Sequence, residues 1–191
     1  MMPRVLLLGD SIRMSYQPRV AEHLTAAEVV GPAENCQFSL HTLTQLDRWL
    51  AELGPPAVVH WNNGLHDCGH NPSRDPVQYP VAAYLENLSR ILQRLRLETG
   101  KIIWATMTPA HPQRPFVADA WSWRNDEIQA YNEAACELMA AEGIPVNDLH
   151  ALVWSDVDTL LADDQLHLSP AGVEACAQAV AAAICGQLTS D

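Results

Sequence analysis

Arg4-Val5-Leu6-Leu7-Leu8-Gly9-Asp10-Ser11-Ile12 joins an uninterrupted apolar run to a glycine and a polar pair. Consecutive aliphatic residues with no polar alternation predict a strand, Arg4–Leu8, that is covered on both faces. Gly9 reads as a turn, and Ser11 falls where a helix near 12–25 begins. Similar short runs predict strands over Ala27–Val30, Ala57–Trp61, Lys101–Thr106 and Pro145–Asp148. Between them the periodicity changes. In Val81–Leu97 apolar residues recur at 81, 84, 85, 88, 91, 92 and 95, and in Pro170–Leu188 at 173, 176, 177, 180, 184 and 188, both at helical spacing. Helices are also expected near 42–53 and 124–142. Strands that alternate with helices predict one α/β domain over residues 1–191, a parallel sheet with helices on both faces.

In such folds ligands sit beyond the carboxyl ends of the strands. The polar residues of this chain gather there. Gly9-Asp10-Ser11 follows the first strand, Asn62-Asn63-Gly64-Leu65-His66-Asp67 the third, and Met107-Thr108-Pro109 the fourth; Asp163-Asp164-Gln165-Leu166-His167 lies beyond the fifth. A serine becomes a nucleophile when a base takes its proton and a third group fixes that base. Ser11 stands at a helix start, where its own N–H favours a developing oxyanion, although a plain N-cap serine looks the same. Asp164 and His167 are three residues apart, just before Ser169-Pro170, an N-cap followed by proline in the first helical turn. That loop can set a carboxylate beside one ring nitrogen of His167 and turn the other towards Ser11.

These blocks resemble those of the SGNH, or GDSL-type, hydrolases. Gly9-Asp10-Ser11-Ile12 is similar to the family's first block, Gly64-Leu65-His66-Asp67 to its third, and Asp164-Gln165-Leu166-His167 to its last, in the family's order and across nearly the whole chain. The resemblance implies a flavodoxin-like three-layer α/β/α fold with a five-stranded parallel sheet. It also implies ester hydrolysis through an acyl-serine, without metal or other cofactor. Ser11 would be the nucleophile and an oxyanion donor, His167 the base and then the acid, and Asp164 its orienting partner. Two blocks depart from the pattern. His66 stands where the family has an oxyanion-donating Asn, and an imidazole N–H could replace it, with Asn63 as the alternative donor. The second block lacks its glycine, and counting from Asn35 and Thr42 assigns that backbone donor to Leu40. The G-x-S-x-G elbow of the other large esterase fold is absent, because position 13 is Arg.

Trp61 and Asn62, at the end of the third strand, and Asn63 beside them are expected to line the substrate site, and Arg13 to touch a polar acyl or sugar portion; a solvated helix residue is the plainer account of Arg13. The aromatic and proline-bearing stretch Ala110–Trp123 reads as a rim over the pocket. His60, His66, Cys68 and His70 crowd together, but their spacing fits no common closed zinc site. The substrate expected is a small acyl ester, an O-acetylated carbohydrate by family habit. A non-catalytic carbohydrate-binding protein or an O-acyltransferase are the rival readings.

Charge and cysteine usage bound the setting. A formal net charge of −12 repels phosphate backbones, so neither nucleic acid nor an anionic membrane is an expected partner. Five scattered cysteines predict reduced thiols rather than a disulfide framework. With no signal-like leader and no apolar stretch approaching a membrane span, the expected location is the cytoplasm.

Overall fold

The computed structural model describes residues 2–71, 77–113 and 121–189. Five strands, β1 (Arg4–Leu8), β2 (Glu28–Val30), β3 (Val58–Trp61), β4 (Ile102–Ala105) and β5 (Val146–Asn147), form one parallel sheet in the order β2-β1-β3-β4-β5. This is the flavodoxin-like order. All residues of β3 and β4 and Val5–Leu8 of β1 are buried, which is why these runs lack polar alternation. The edge strands β2 and β5 are shorter and partly exposed.

Right-handed crossovers divide the helices between the two faces. On one face α1 (Ser11–His23) packs against α8 (Pro170–Thr189), which also meets α6 (Leu149–Trp154) and α7 (Val157–Leu160). On the other, α2 (Ser39–Leu53) packs on α4 (Val81–Leu95), and α4 on α5 (Asn125–Ala141). The period read from the sequence is visible in α4, where Tyr84, Leu88, Ile91, Leu92 and Leu95 are buried. A one-turn helix, α3 (Leu65–Cys68), follows β3.

One sequence expectation is corrected here. α8 spans 20 residues with a mean hydropathy of 1.3 over its most apolar stretch, the length and composition of a membrane span. In this fold it lies against α1, α6 and α7.

The order places a topological switch point at the carboxyl ends of β1 and β3, because the chain leaves β1 for β2 on one side and returns to β3 on the other. A crevice opens where strand order reverses. Ser11 follows β1 there, and His66 follows β3.

Candidate active site

The first wall of the site is the turn from β1 into α1. Asp10 is the N-cap of α1, buried, with its carboxylate accepting the Ile12 N–H at 2.9 Å. That cap fixes Ser11 as the first helical residue, where its N–H has no intrahelical partner and the helix dipole is positive. The Ser11 Oγ lies 2.9 Å from His167 Nε2, and His167 Nδ1 lies 2.6 Å from Asp164 Oδ2. Serine, imidazole and carboxylate thus form one unbroken hydrogen-bonded chain.

The loop that carries the last two residues is itself braced. Asp164 Oδ1 accepts the N–H groups of Leu166 and His167 at 3.1 and 2.9 Å, and Ala162 N–H binds the His167 carbonyl at 2.7 Å. Burial works to raise the Asp164 carboxyl, but those two N–H groups and the His167 ring outweigh it and hold the group below the ordinary carboxylate range. From outside, His111 N–H binds the Gln165 carbonyl at 2.8 Å, and its Nε2 lies 2.9 Å from Asp158. Ser169 Oγ accepts the Gly172 N–H, the N-cap read from Ser169-Pro170. The His167 and Asp164 side chains stay open to solvent, 45 and 53% exposed.

Gly64 opens the third block with φ +139, and a Cβ there would strike the Met107 sulfur. This glycine lets the chain turn out of β3 into α3, which carries His66 and Asp67. His66 faces the site: its ring meets Trp121 edge-on at 6.0 Å, and Asp10 and His167 are its electrostatic neighbours. Burial pushes its imidazole below the ordinary histidine range; Asp10 opposes the shift and His167 adds to it. A neutral imidazole offers one N–H donor. Trp121 stacks on Trp123, whose Nε1 binds the Leu65 carbonyl. These residues end the expected rim, while 114–120 lie outside the described residues.

Other sequence expectations are corrected by burial and by committed hydrogen bonds. Trp61 is fully buried, with its ring edge-on to Trp104 and its Nε1 donating to Asn63 Oδ1 at 2.7 Å. Asn63 is also fully buried, and its amide donates to Gln37 O and Thr42 Oγ1, each at 3.0 Å. Neither lines the pocket, and Asn63 has no amide proton left for an oxyanion. Arg13 is neither solvated nor free for a substrate. It is 2% exposed, and its guanidinium binds the carbonyls of Gly9, Pro32 and Glu34 and the Gln17 side chain. Leu40 is the second residue of α2, with an exposed side chain, so its N–H lies in the first turn, where helical N–H groups have no intrahelical partner. The Cys36 N–H reaches the Ser11 turn, at the Gly9 carbonyl.

Sequence reasoning missed one part of this wall. Gln37 adopts φ 52, the left-handed region that a glycine would take without cost, and Asn35 Oδ1 accepts its N–H in an Asx turn. The Asn two residues ahead was the available signal. Asp67, fully buried, caps α2 from a different element: its carboxylate accepts the Ser39 N–H at 2.9 Å and the Ser39 hydroxyl at 2.5 Å. Burial raises its carboxyl to about 7, against the opposing pull of Ser39. The other histidines of the crowded 60–70 segment, His60 and His70, have separate partners. Asn147 donates to His60 Nε2, and His70 pairs with Glu127.

A doubly wound sheet with a serine–histidine–aspartate chain at its switch point defines a hydrolase-like α/β protein. Residues 7–175 match the GDSL-like lipase/acylhydrolase family, and the chain belongs to that family of hydrolases. Solved structures agree over almost the full length. The lipase/acylhydrolase from Enterococcus faecalis superposes with a TM-score of 0.78 at 25% identity, covering 97% of each chain. The acetyl xylan esterase AlAXEase gives 0.78 at 16% identity, covering 95% of this chain and 99% of its own. TesA gives 0.73 at 19% identity, covering 96% and 99%. No curated protein matches the sequence.

Proposed function

We propose that the protein is a serine esterase that hydrolyses a small acyl ester, an O-acetyl group on a carbohydrate, through an acyl-Ser11 intermediate. The observation that carries this reading is the continuous hydrogen-bond chain from Ser11 Oγ through His167 to Asp164. His167 Nε2 removes the hydroxyl proton as Oγ attacks the ester carbonyl, and Asp164 stabilises the imidazolium that forms. The Ser11 N–H and the His66 ring donate to the tetrahedral oxyanion, and the second-block loop around Cys36 and Gln37 closes that side. His167 passes its proton to the leaving alcohol. Water then enters, and the same base activates it to release the acid.

One feature favours water as acceptor. The open flank of His167 and Asp164 admits solvent, which favours hydrolysis over acyl transfer. For the sugar, the support is the aromatic pair Trp121–Trp123 beside His66. The acetyl xylan esterase with the same fold is consistent with it. Incubation with a fluorophosphonate and with p-nitrophenyl acetate tests the reading. Labelling and turnover that vanish in Ser11→Ala are expected. A folded protein that binds acetylated xylo-oligosaccharide yet neither labels nor turns over would make it a binding protein instead.

A further inference from the structure

Beyond the end of the edge strand β5, where α5 and α6 diverge, lies a cleft of about 390 Å³. This is the size range of small-molecule sites. Its lining comes from the end of β4, from α5 and from the turn into α6, and includes none of Ser11, His66, Asp164 and His167, so the cleft is distinct from the Ser11 crevice. Its chemistry is one-sided. Most potential donors are engaged: the Asn132 amide is closed in a pair of hydrogen bonds with the Met107 backbone, and the Thr106 hydroxyl donates to Asp148 Oδ1, while His150 Nε2 has no partner among the described residues.

Acceptors remain. Asp148 Oδ1 takes Thr106 Oγ1 and the Ala151 N–H, which leaves Oδ2 unused. Glu133 uses only Oε1, accepting from Gln129 at 2.8 Å. Neither carboxylate has a cationic partner among the described residues, whereas Arg4, Arg19, Arg48, Arg90, Arg94 and Arg96 are each paired with an acid elsewhere. Trp154 completes the lining, 46% exposed and braced by the parallel ring of His150 at 5.7 Å.

A carboxylate or phosphate ligand would meet two negative groups, and the basic side chain in the lining, His150, is pushed by burial toward its neutral form against the opposing pull of Asp148. A cation that donates N–H bonds meets the two unused acceptor oxygens and an aromatic ring able to hold positive charge. We propose that this cleft binds an organic cation, an alkylammonium or guanidinium group carried by a small molecule. The role is independent of the ester chemistry at Ser11.

Agmatine, which carries both cationic groups, is the probe, with 1,4-butanediol as the neutral control. Calorimetric titration of the full chain is expected to give agmatine binding that weakens with added salt, and no heat from the diol. Glu133→Gln and Trp154→Ala, both at exposed positions, are each expected to weaken it about threefold to tenfold while p-nitrophenyl acetate turnover stays unchanged. Absence of agmatine binding into the millimolar range, or binding that both variants leave intact, overturns the proposal. A cleft that takes neutral sugars such as xylose in preference to agmatine also overturns it.

Discussion

Replacing Arg13 with methionine keeps the unbranched stem of the side chain, ends short of the guanidinium and removes every polar contact of its head. In the native fold that head holds the Pro32 carbonyl at 3.0 Å, the Glu34 carbonyl at 3.0 Å, the Gly9 carbonyl at 3.3 Å and Gln17 at 2.8 Å. The Gly9 carbonyl keeps the Cys36 N–H as a second donor, so its loss is partial. Pro32 and Glu34 lose the donor that Arg13 supplies. An unsatisfied buried acceptor costs about 1–3 kcal/mol, so two of them set a range of roughly 2–6 kcal/mol. The Glu34 bond is only partly buried, and water entering behind the shorter head holds the total near the low end, about 3 kcal/mol. For a chain of this size the melting temperature should fall by roughly 6–12 °C. Arg13 also fixes the spacing between the Ser11 turn and the second-block loop. Below the transition kcat for p-nitrophenyl acetate should therefore drop about tenfold to a hundredfold, with KM little changed. The assay is thermal unfolding by circular dichroism beside steady-state kinetics, with Arg13→Lys as a milder variant. A variant that melts normally and shows only a raised KM would refute the clamp and restore Arg13 as a substrate contact.

Three further outcomes follow from the site. His66→Ala should lower kcat by about 10² to 10³ if its N–H stabilises the oxyanion, and His66→Asn should recover part of that loss; an unchanged kcat in the alanine variant would move the role elsewhere. Asp67 binds its proton more tightly folded than unfolded, with a folded value of about 7. Its contribution is therefore complete below about pH 4, declines as pH rises through about 7, and is then flat. The stability difference between the native protein and Asp67→Asn should change over that window by an amount on the order of a few kcal/mol, read from urea unfolding at several pH values; a flat difference would refute the raised carboxyl. Gln37→Gly should stabilise the protein by about 1 kcal/mol or less, because relief of left-handed strain is offset by the entropy glycine adds to the unfolded chain, whereas Gln37→Val should destabilise it by more. Equal melting of the two variants would count against strain at this position.

Much of the fold was legible because β1, β3 and β4 are buried on both faces, and burial demands apolar runs such as Val5–Leu8 and Ile102–Ala105. The long helices announced themselves by period, as α4 does. The short ones did not: α3, α6 and α7 have 4 to 6 residues and complete too few turns for any periodic signal. The same burial defeated the reading of Trp61. A residue at the carboxyl end of an interior strand can turn into a helix layer as readily as into the crevice, and here Trp104 receives it. The second block was only partly legible for a different reason: counting along a block assigns a residue number, but it does not show that the left-handed backbone angle of this loop belongs to Gln37. Nothing in the letters of Arg13 separates a solvated guanidinium from one folded over three carbonyls.

The two altered blocks bear on whether an oxyanion hole survives in this chain, and their supports argue for rebuilding rather than decay. A wall that has lost its function has no reason to keep a strained backbone. Strain of that kind persists where its surroundings over-determine it. Gln37 is held by Asn35 at its N–H and by Asn63 at its carbonyl, while Thr42 binds the carbonyl of Cys36 next to it. On the other side Arg13 and the Cys36 N–H tie the same stretch to the Gly9 turn. Gly31 leaves room for this arrangement, since a Cβ there would strike the Gln17 amide and crowd the Arg13 guanidinium. The third block follows the same logic. A charged His66 beside His167 would set two cations against each other, and burial keeps the His66 ring neutral, with a single proton to donate. An asparagine amide and a neutral imidazole can each present one N–H to an oxyanion, which is the chemical basis for proposing His66 as the donor of the third block.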